Sequence, residues 1–249
     1  MKSDSIPRLR IFAGPNGSGK STIKAVVPDH LLGVYVNPDE IQKGLESSTE
    51  FDFCRFGIEI TVDELRTFIS ISTLSKKVGF DRQIESFLVV RNQLRVAPSI
   101  LTPYLAAVIA AFIRERLLAE RQSFTFETVM SSPDKIEVLR QARSLGYRTY
   151  LYFIATEDPE INVSRVKRRV ELGGHDVPKM KIVERYYRSL NLLLDAIRET
   201  DRAYVFDNSG NKQIWIAEIT GGTEIEIKCD ELPSWFKTTI WDNLGNDQT

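Results

Sequence analysis

Gly14-Pro15-Asn16-Gly17-Ser18-Gly19-Lys20-Ser21 fits the pattern G-x-x-x-x-G-K-[ST] at every fixed position. A loop of this kind turns its backbone N–H groups inward around phosphate oxygens, and glycines permit both the dihedrals and the close approach. Lys20 brings a point charge to the β- and γ-phosphates, and Ser21 supplies a hydroxyl to magnesium. The context agrees with the motif. Residues 8–13 (RLRIFA) read as a short buried strand entering the turn, and Ile23, Val26 and Val27 mark a helix leaving it before Pro28. That helix start adds the positive end of its dipole. Residues 14–22, Thr22 included, are the expected ATP-binding segment, with Ser21 as the magnesium ligand.

Downstream, strands alternate with helices. Residues 34–37 (VYVN) read as a second strand, 104–121 as a helix, and 123–127 (SFTFE) as a strand. An amphipathic helix over 133–144 closes at Gly146, and 148–155 (RTYLYFIA) is a strand rich in aromatics. Asp158-Pro159 is a cap and first-turn signal for a helix running to Gly173-Gly174. A long helix is expected over 178–200, a short strand at 203–206, and a β-hairpin over 214–228 around Gly221-Gly222. The pattern predicts an α/β protein: a mostly parallel central sheet with helices on both faces, and a C-terminal β-hairpin. The expected organisation is one domain over 1–249, with a helical and loop insertion at about 46–103 and the hairpin extension at about 212–249.

Bulk properties narrow the function classes. The formal net charge of -1 offers none of the positive surplus usual in nucleic-acid binders, so no nucleic-acid partner is expected. Two cysteines, Cys54 and Cys229, lie far apart without metal-ligand spacing, which suits a reducing cytoplasm. The apolar run at 104–113 stops at Arg114 and Glu115, at half the length a membrane span needs, and reads as a buried core helix. No membrane association is expected. The N/T-K-x-D segment that reads guanine in GTPases is missing, and no apolar strand ending in the acidic pair of motors is evident after residue 120.

Three further groups bear on chemistry. Asp39, in 36–40 (VNPDE), follows the second strand, on the sheet edge where the phosphate loop opens. Its carboxylate either takes a proton from an attacking hydroxyl, holds magnesium through water, or caps the next helix. Glu127 and Thr128 end another strand, as acceptor-binding groups or as a helix cap with a nearby acid. Arg165 and Arg169 sit one turn apart beside the Val166 and Val170 stripe, either as a lid over the transferring phosphate or as a solvated face.

Taken together, GPNGSGKST (14–22), VNPDEI (36–41), FET (126–128), RVKRRVELGGHDVP (165–178), RYYRSL (185–190) and FDNSG (206–210) resemble the zeta-toxin family of P-loop kinases. The resemblance covers residues 8–45 and 105–235. It implies ATP-dependent phosphorylation of the sugar 3′-hydroxyl of UDP-N-acetylglucosamine, often within a toxin–antitoxin pair. It makes Asp39 the general base, and Lys20 and Ser21 the ATP and magnesium groups. Glu127 and Thr128 become acceptor groups, and Arg165, Arg169 and His175 lid groups. A different small-molecule kinase, or an ATP-binding regulatory module, remains an alternative reading of the same motifs.

Overall fold

The computed structural model describes residues 6–24, 27–48, 50–174 and 176–244. Strand β1 (Arg8–Ala13) is buried from Leu9 onward and runs into the glycine loop, which leads to α1 (Lys20–Lys24) and α2 (Asp29–Leu32). Then come β2 (Val34–Val36) and α3 (Pro38–Ser47). Residues 46–103 contain more strand than their sequence suggests. Here β3 (Glu50–Asp52), β4 (Leu88–Val90) and β5 (Gln93–Arg95) form a small antiparallel sheet in the order β3-β5-β4, beside α4 (Val62–Ile71) and α5 (Thr73–Val78). Three-residue strands are too short to display alternation. The β4–β5 turn is closed by Arg91 and Asn92, both with positive φ, instead of the glycine that signals such a turn.

Helix α6 (Pro103–Ala119), capped by the Thr102 hydroxyl, is a core helix with Leu105, Val108, Ile109, Ile113 and Leu117 fully buried. Among the described residues no helix is long and apolar enough to cross a membrane. The chain continues through β6 (Phe124–Thr128), α7 (Asp134–Ser144), β7 (Arg148–Ala155) and α8 (Pro159–Glu171). The stretch expected as one helix over 178–200 is two, α9 (Lys179–Asn191) and α10 (Leu193–Arg198). The break falls at Leu192 (φ -90°, ψ -6°), where neither proline nor glycine announces it. The last strands are β8 (Arg202–Asp207), β9 (Ile214–Thr220) and β10 (Glu224–Ile227). A helical segment over 234–244 follows, and it left no recognisable sequence signal.

Hydrogen bonding orders seven strands as β10-β9-β8-β7-β1-β6-β2. Strands β1, β7 and β8 are parallel in register Ile11–Leu151–Ala203, and the β9–β10 hairpin adds antiparallel strands to the free side of β8. The described residues fall into two compact units, one from residues up to 32 and from 125 onward, the other from 33 to 124. The first carries the glycine loop and β6 to β10. Its core includes Ile11, Phe12, Leu151, Phe153, Val205 and Ile216, none of them exposed. The second packs α3 against α6 and gathers Phe51, Phe53, Phe56, Phe68 and Phe112 into an aromatic cluster.

Candidate active site

The glycine loop is braced from three sides. Gly14 (φ +144°), Gly17 (φ +76°) and Gly19 (φ +98°) occupy backbone conformations that side chains resist. Space is equally restrictive. A Cβ would lie 2.0 Å from the Ile154 carbonyl oxygen at Gly14, 2.6 Å from the Asn162 carbonyl oxygen at Gly17, and 2.2 Å from Asn208 Nδ2 at Gly19. Strand β7, helix α8 and the turn after β8 thus each press on one glycine. Two asparagine amides fix the loop carbonyls: Asn162 Nδ2 donates to Asn16 O, and Asn208 Nδ2 to Ser18 O, both at 2.7 Å. Asn162 is fully buried and in turn accepts from Thr156 Oγ1.

Lys20 Nζ donates to the carbonyls of Gly14 and Pro15, each at 2.9 Å, and so lies over the loop mouth. Ser21 and Thr22 are exposed at the start of α1, while Ser18 is buried. Ser18 Oγ has no hydrogen-bond partner among the described residues. A buried hydroxyl, a lysine and a glycine cradle are the donor set that an anionic phosphate chain requires.

Helix α8 begins at the Asp158 cap, whose carboxylate accepts from the Glu160 N–H at 2.8 Å. Asn162 and Val166 face the loop, so Arg165 falls beside it, half-buried. Arg165 Nη2 donates to Gly210 O at 3.4 Å, and Nη1 is buried with no partner among the described residues. Arg169 is exposed, one turn further on. The glycine turn ending α8 is a packed cap. Gly173 N–H donates to Val170 O and Gly174 N–H to Arg169 O, both at 2.9 Å, and a Cβ on Gly174 would meet Arg169 Cγ at 2.6 Å. Val166, Val177 and Ile182 form a small core that holds α8 to α9. His175 lies outside the described residues.

Glu127 and Thr128 are the last residues of β6, both partly buried. Neither caps a helix, because α7 starts six residues later at Asp134; the Thr128 hydroxyl instead accepts from the Met130 N–H at 3.0 Å. Ser189 on α9 anchors the same turn by donating to Val129 O at 2.8 Å. Nearby, Tyr186 donates to Thr156 O at 2.6 Å, and burial pushes its phenol above the ordinary range.

In the second unit, Asp39 is the second residue of α3 and is exposed. The cap of that helix is Asn37, whose Oδ1 accepts from the Asp39 N–H at 2.8 Å. The Asp39 carboxylate is therefore not used as the cap. It takes no hydrogen bond among the described residues.

Sequence reasoning missed Asn162 as a loop brace. The available signal is a polar residue one turn before Val166, in the stripe that α8 buries. Asn208 lies in the FDNSG segment that contributed to the resemblance, but without an assigned role.

A glycine loop leaving a buried parallel strand and entering a helix, in a sheet extended by antiparallel strands, defines the P-loop kinase fold. The family model described as zeta toxin matches residues 92–220, a little over half of the chain, and the chain belongs to that family. The glycine loop precedes the matched span. Among solved structures, the AvrRxo1-ORF1:AvrRxo1-ORF2 complex with sulphate ions aligns with a TM-score of 0.54 at 14% identity, covering 90% of this chain and 62% of that one. The same complex with ATP aligns at 0.52 and 14%, covering 90% and 61%. These likenesses concern the fold, and the chain spans about three fifths of the length of either solved chain. A cytidylate kinase of Clostridium perfringens (strain SM101 / Type A) is 22% identical over 212 residues, 79% of this chain and 88% of that protein.

Proposed function

We propose that this chain is an ATP- and magnesium-dependent phosphotransferase that moves the γ-phosphate to a hydroxyl of a small molecule, with a UDP-amino sugar such as UDP-N-acetylglucosamine as acceptor. The observation that carries the reading is the braced loop, whose three glycines, buried Ser18 and overlying Lys20 suit a triphosphate. ATP supplies the transferable phosphoryl group, and magnesium neutralises charge on it. Among the described residues no cluster of three or more acidic, histidine or cysteine side chains could hold a metal alone. Magnesium held by the Ser21 hydroxyl together with phosphate oxygens fits that inventory.

The remaining roles belong to the protein. Lys20 would exchange its two carbonyl partners for phosphate oxygens. Asp39, free of capping duty, would accept the acceptor's hydroxyl proton. Arg165, with one buried nitrogen unpartnered, would stabilise charge on the moving phosphoryl group, with Arg169 and His175 further along the same lid. Glu127 and Thr128 would bind acceptor hydroxyls. We read the protein as cytoplasmic, with neither nucleic acid nor membrane as partner. The zeta-toxin description of the family supports a toxin role here, with a protein antitoxin as the proposed partner.

The cytidylate kinase likeness favours a second reading, in which the acceptor is a nucleotide phosphate. Incubation with ATP, magnesium and a panel of UDP-sugars, nucleosides and CMP, read by mass, separates the two. One added phosphoryl group on UDP-N-acetylglucosamine supports the first. Conversion of CMP alone would replace it with the second.

A further inference from the structure

Asp207, at the end of β8, is a buried carboxylate (4% exposed) with no cation against it among its hydrogen-bond partners. Three donors satisfy it instead. The Ser209 N–H donates to Oδ1 at 2.8 Å, the Ser209 hydroxyl to Oδ2 at 2.8 Å, and the indole N–H of Trp235 to Oδ2 at 2.8 Å. The Ser209 oxygen also accepts from the Glu157 N–H at 2.7 Å, joining the turns after β7 and β8. Between Asp207 and Ser209 lies Asn208. Its N–H donates to Ala155 O at 2.9 Å, and its amide reaches Ser18 O in the phosphate loop.

Trp235 belongs to the helical segment at 234–244, remote in sequence from every motif of the site, and is 5% exposed. Its ring packs on Phe153 of β7 and on Phe236. A buried carboxylate holds its geometry only while its donors are present, and loss of one leaves charge uncompensated in a poorly solvated place. The turn it would then give up is the one that carries Asn208.

We infer that Trp235 is a positioning residue for the phosphate loop: through Asp207 it fixes the 207–210 turn, and through Asn208 it sets the Ser18 end of the loop for nucleotide. This rests on the nucleotide-binding reading of that loop and extends it to the C-terminal segment. The linkage is specific to the indole N–H, since the apolar part of the ring is shared by phenylalanine.

The test is titration calorimetry with ADP, which needs neither acceptor nor turnover, on wild type, Trp235→Phe, Asn208→Ala and the double variant. Trp235→Phe should weaken ADP binding about tenfold, the scale of a hydrogen bond to a charged group. In the double variant the two effects should fall well short of multiplying, because both act through one contact. Should Trp235→Phe fail to fold, Ser209→Ala removes another donor from the same carboxylate and carries the same expectation. Unchanged ADP affinity in a folded Trp235→Phe, or fully multiplicative losses, would overturn the inference while leaving the nucleotide site standing. A wild type that binds no ADP would remove both.

Discussion

The amide of Asn162 donates to the Asn16 carbonyl across 2.7 Å, fastening the first turn of α8 to the phosphate loop. A helix tied down at that point carries its next residues in fixed relation to the loop. Arg165 is three residues on, with one guanidinium nitrogen bonded to Gly210 O and another buried without a partner among the described residues.

Arg165→Ala should therefore lower kcat by about 10³-fold, the scale of an arginine in a phosphoryl-transfer transition state. Arg169→Ala should cost far less, as Arg169 is exposed and packs against the Gly174 cap. Steady-state kinetics with melting temperatures for both variants checks this. Equal, near-neutral effects would reduce α8 to a solvated face.

Lys20→Ala should abolish transfer and cost about 1 kcal/mol of stability, the scale of the part-buried hydrogen bonds it makes to the Gly14 and Pro15 carbonyls. Turnover near that of wild type would remove the loop from the mechanism.

Gly19→Ala should abolish ADP binding. It forces a side chain at φ +98° and places Cβ 2.2 Å from the amide that braces Ser18. Calorimetry with thermal melts checks it; tight ADP binding by a folded variant would mean that the brace is dispensable.

Asp39→Asn should cut kcat by about 10²- to 10⁴-fold with ADP affinity retained. Stability should not change, because the cap is Asn37; Asn37→Ala should cost about 1 kcal/mol by chemical denaturation. If ADP affinity fell with turnover, Asp39 would act through magnesium.

Legibility tracked how locally each feature is encoded. β1 and β7 have the predicted bounds, because a continuous apolar run bounded by turns is written in adjacent residues. The cap at Asp158 and the hairpin at Gly221-Gly222 were equally visible. The break at Leu192 and the three-stranded sheet were not, since tertiary packing decides them without a breaker residue. At the site, the glycine loop was readable as a motif, and Arg165 and Arg169 as a pair one helical turn apart. Asn162, Asn208 and Asp207 were not, because their work is contact between segments distant in sequence. Ser18 and Asn208 stand 190 positions apart and meet at 2.7 Å.

Transfer of the ATP γ-phosphate to a hydroxyl of UDP-N-acetylglucosamine, with ATP held by residues 14–22, is the proposed reaction. Its most direct test is the mass of UDP-N-acetylglucosamine after incubation with ATP, magnesium and wild-type protein, beside Lys20→Ala. One added phosphoryl group, produced by wild type and not by the variant, is the predicted result. An unchanged sugar nucleotide with ATP consumed only to ADP and phosphate would contradict it.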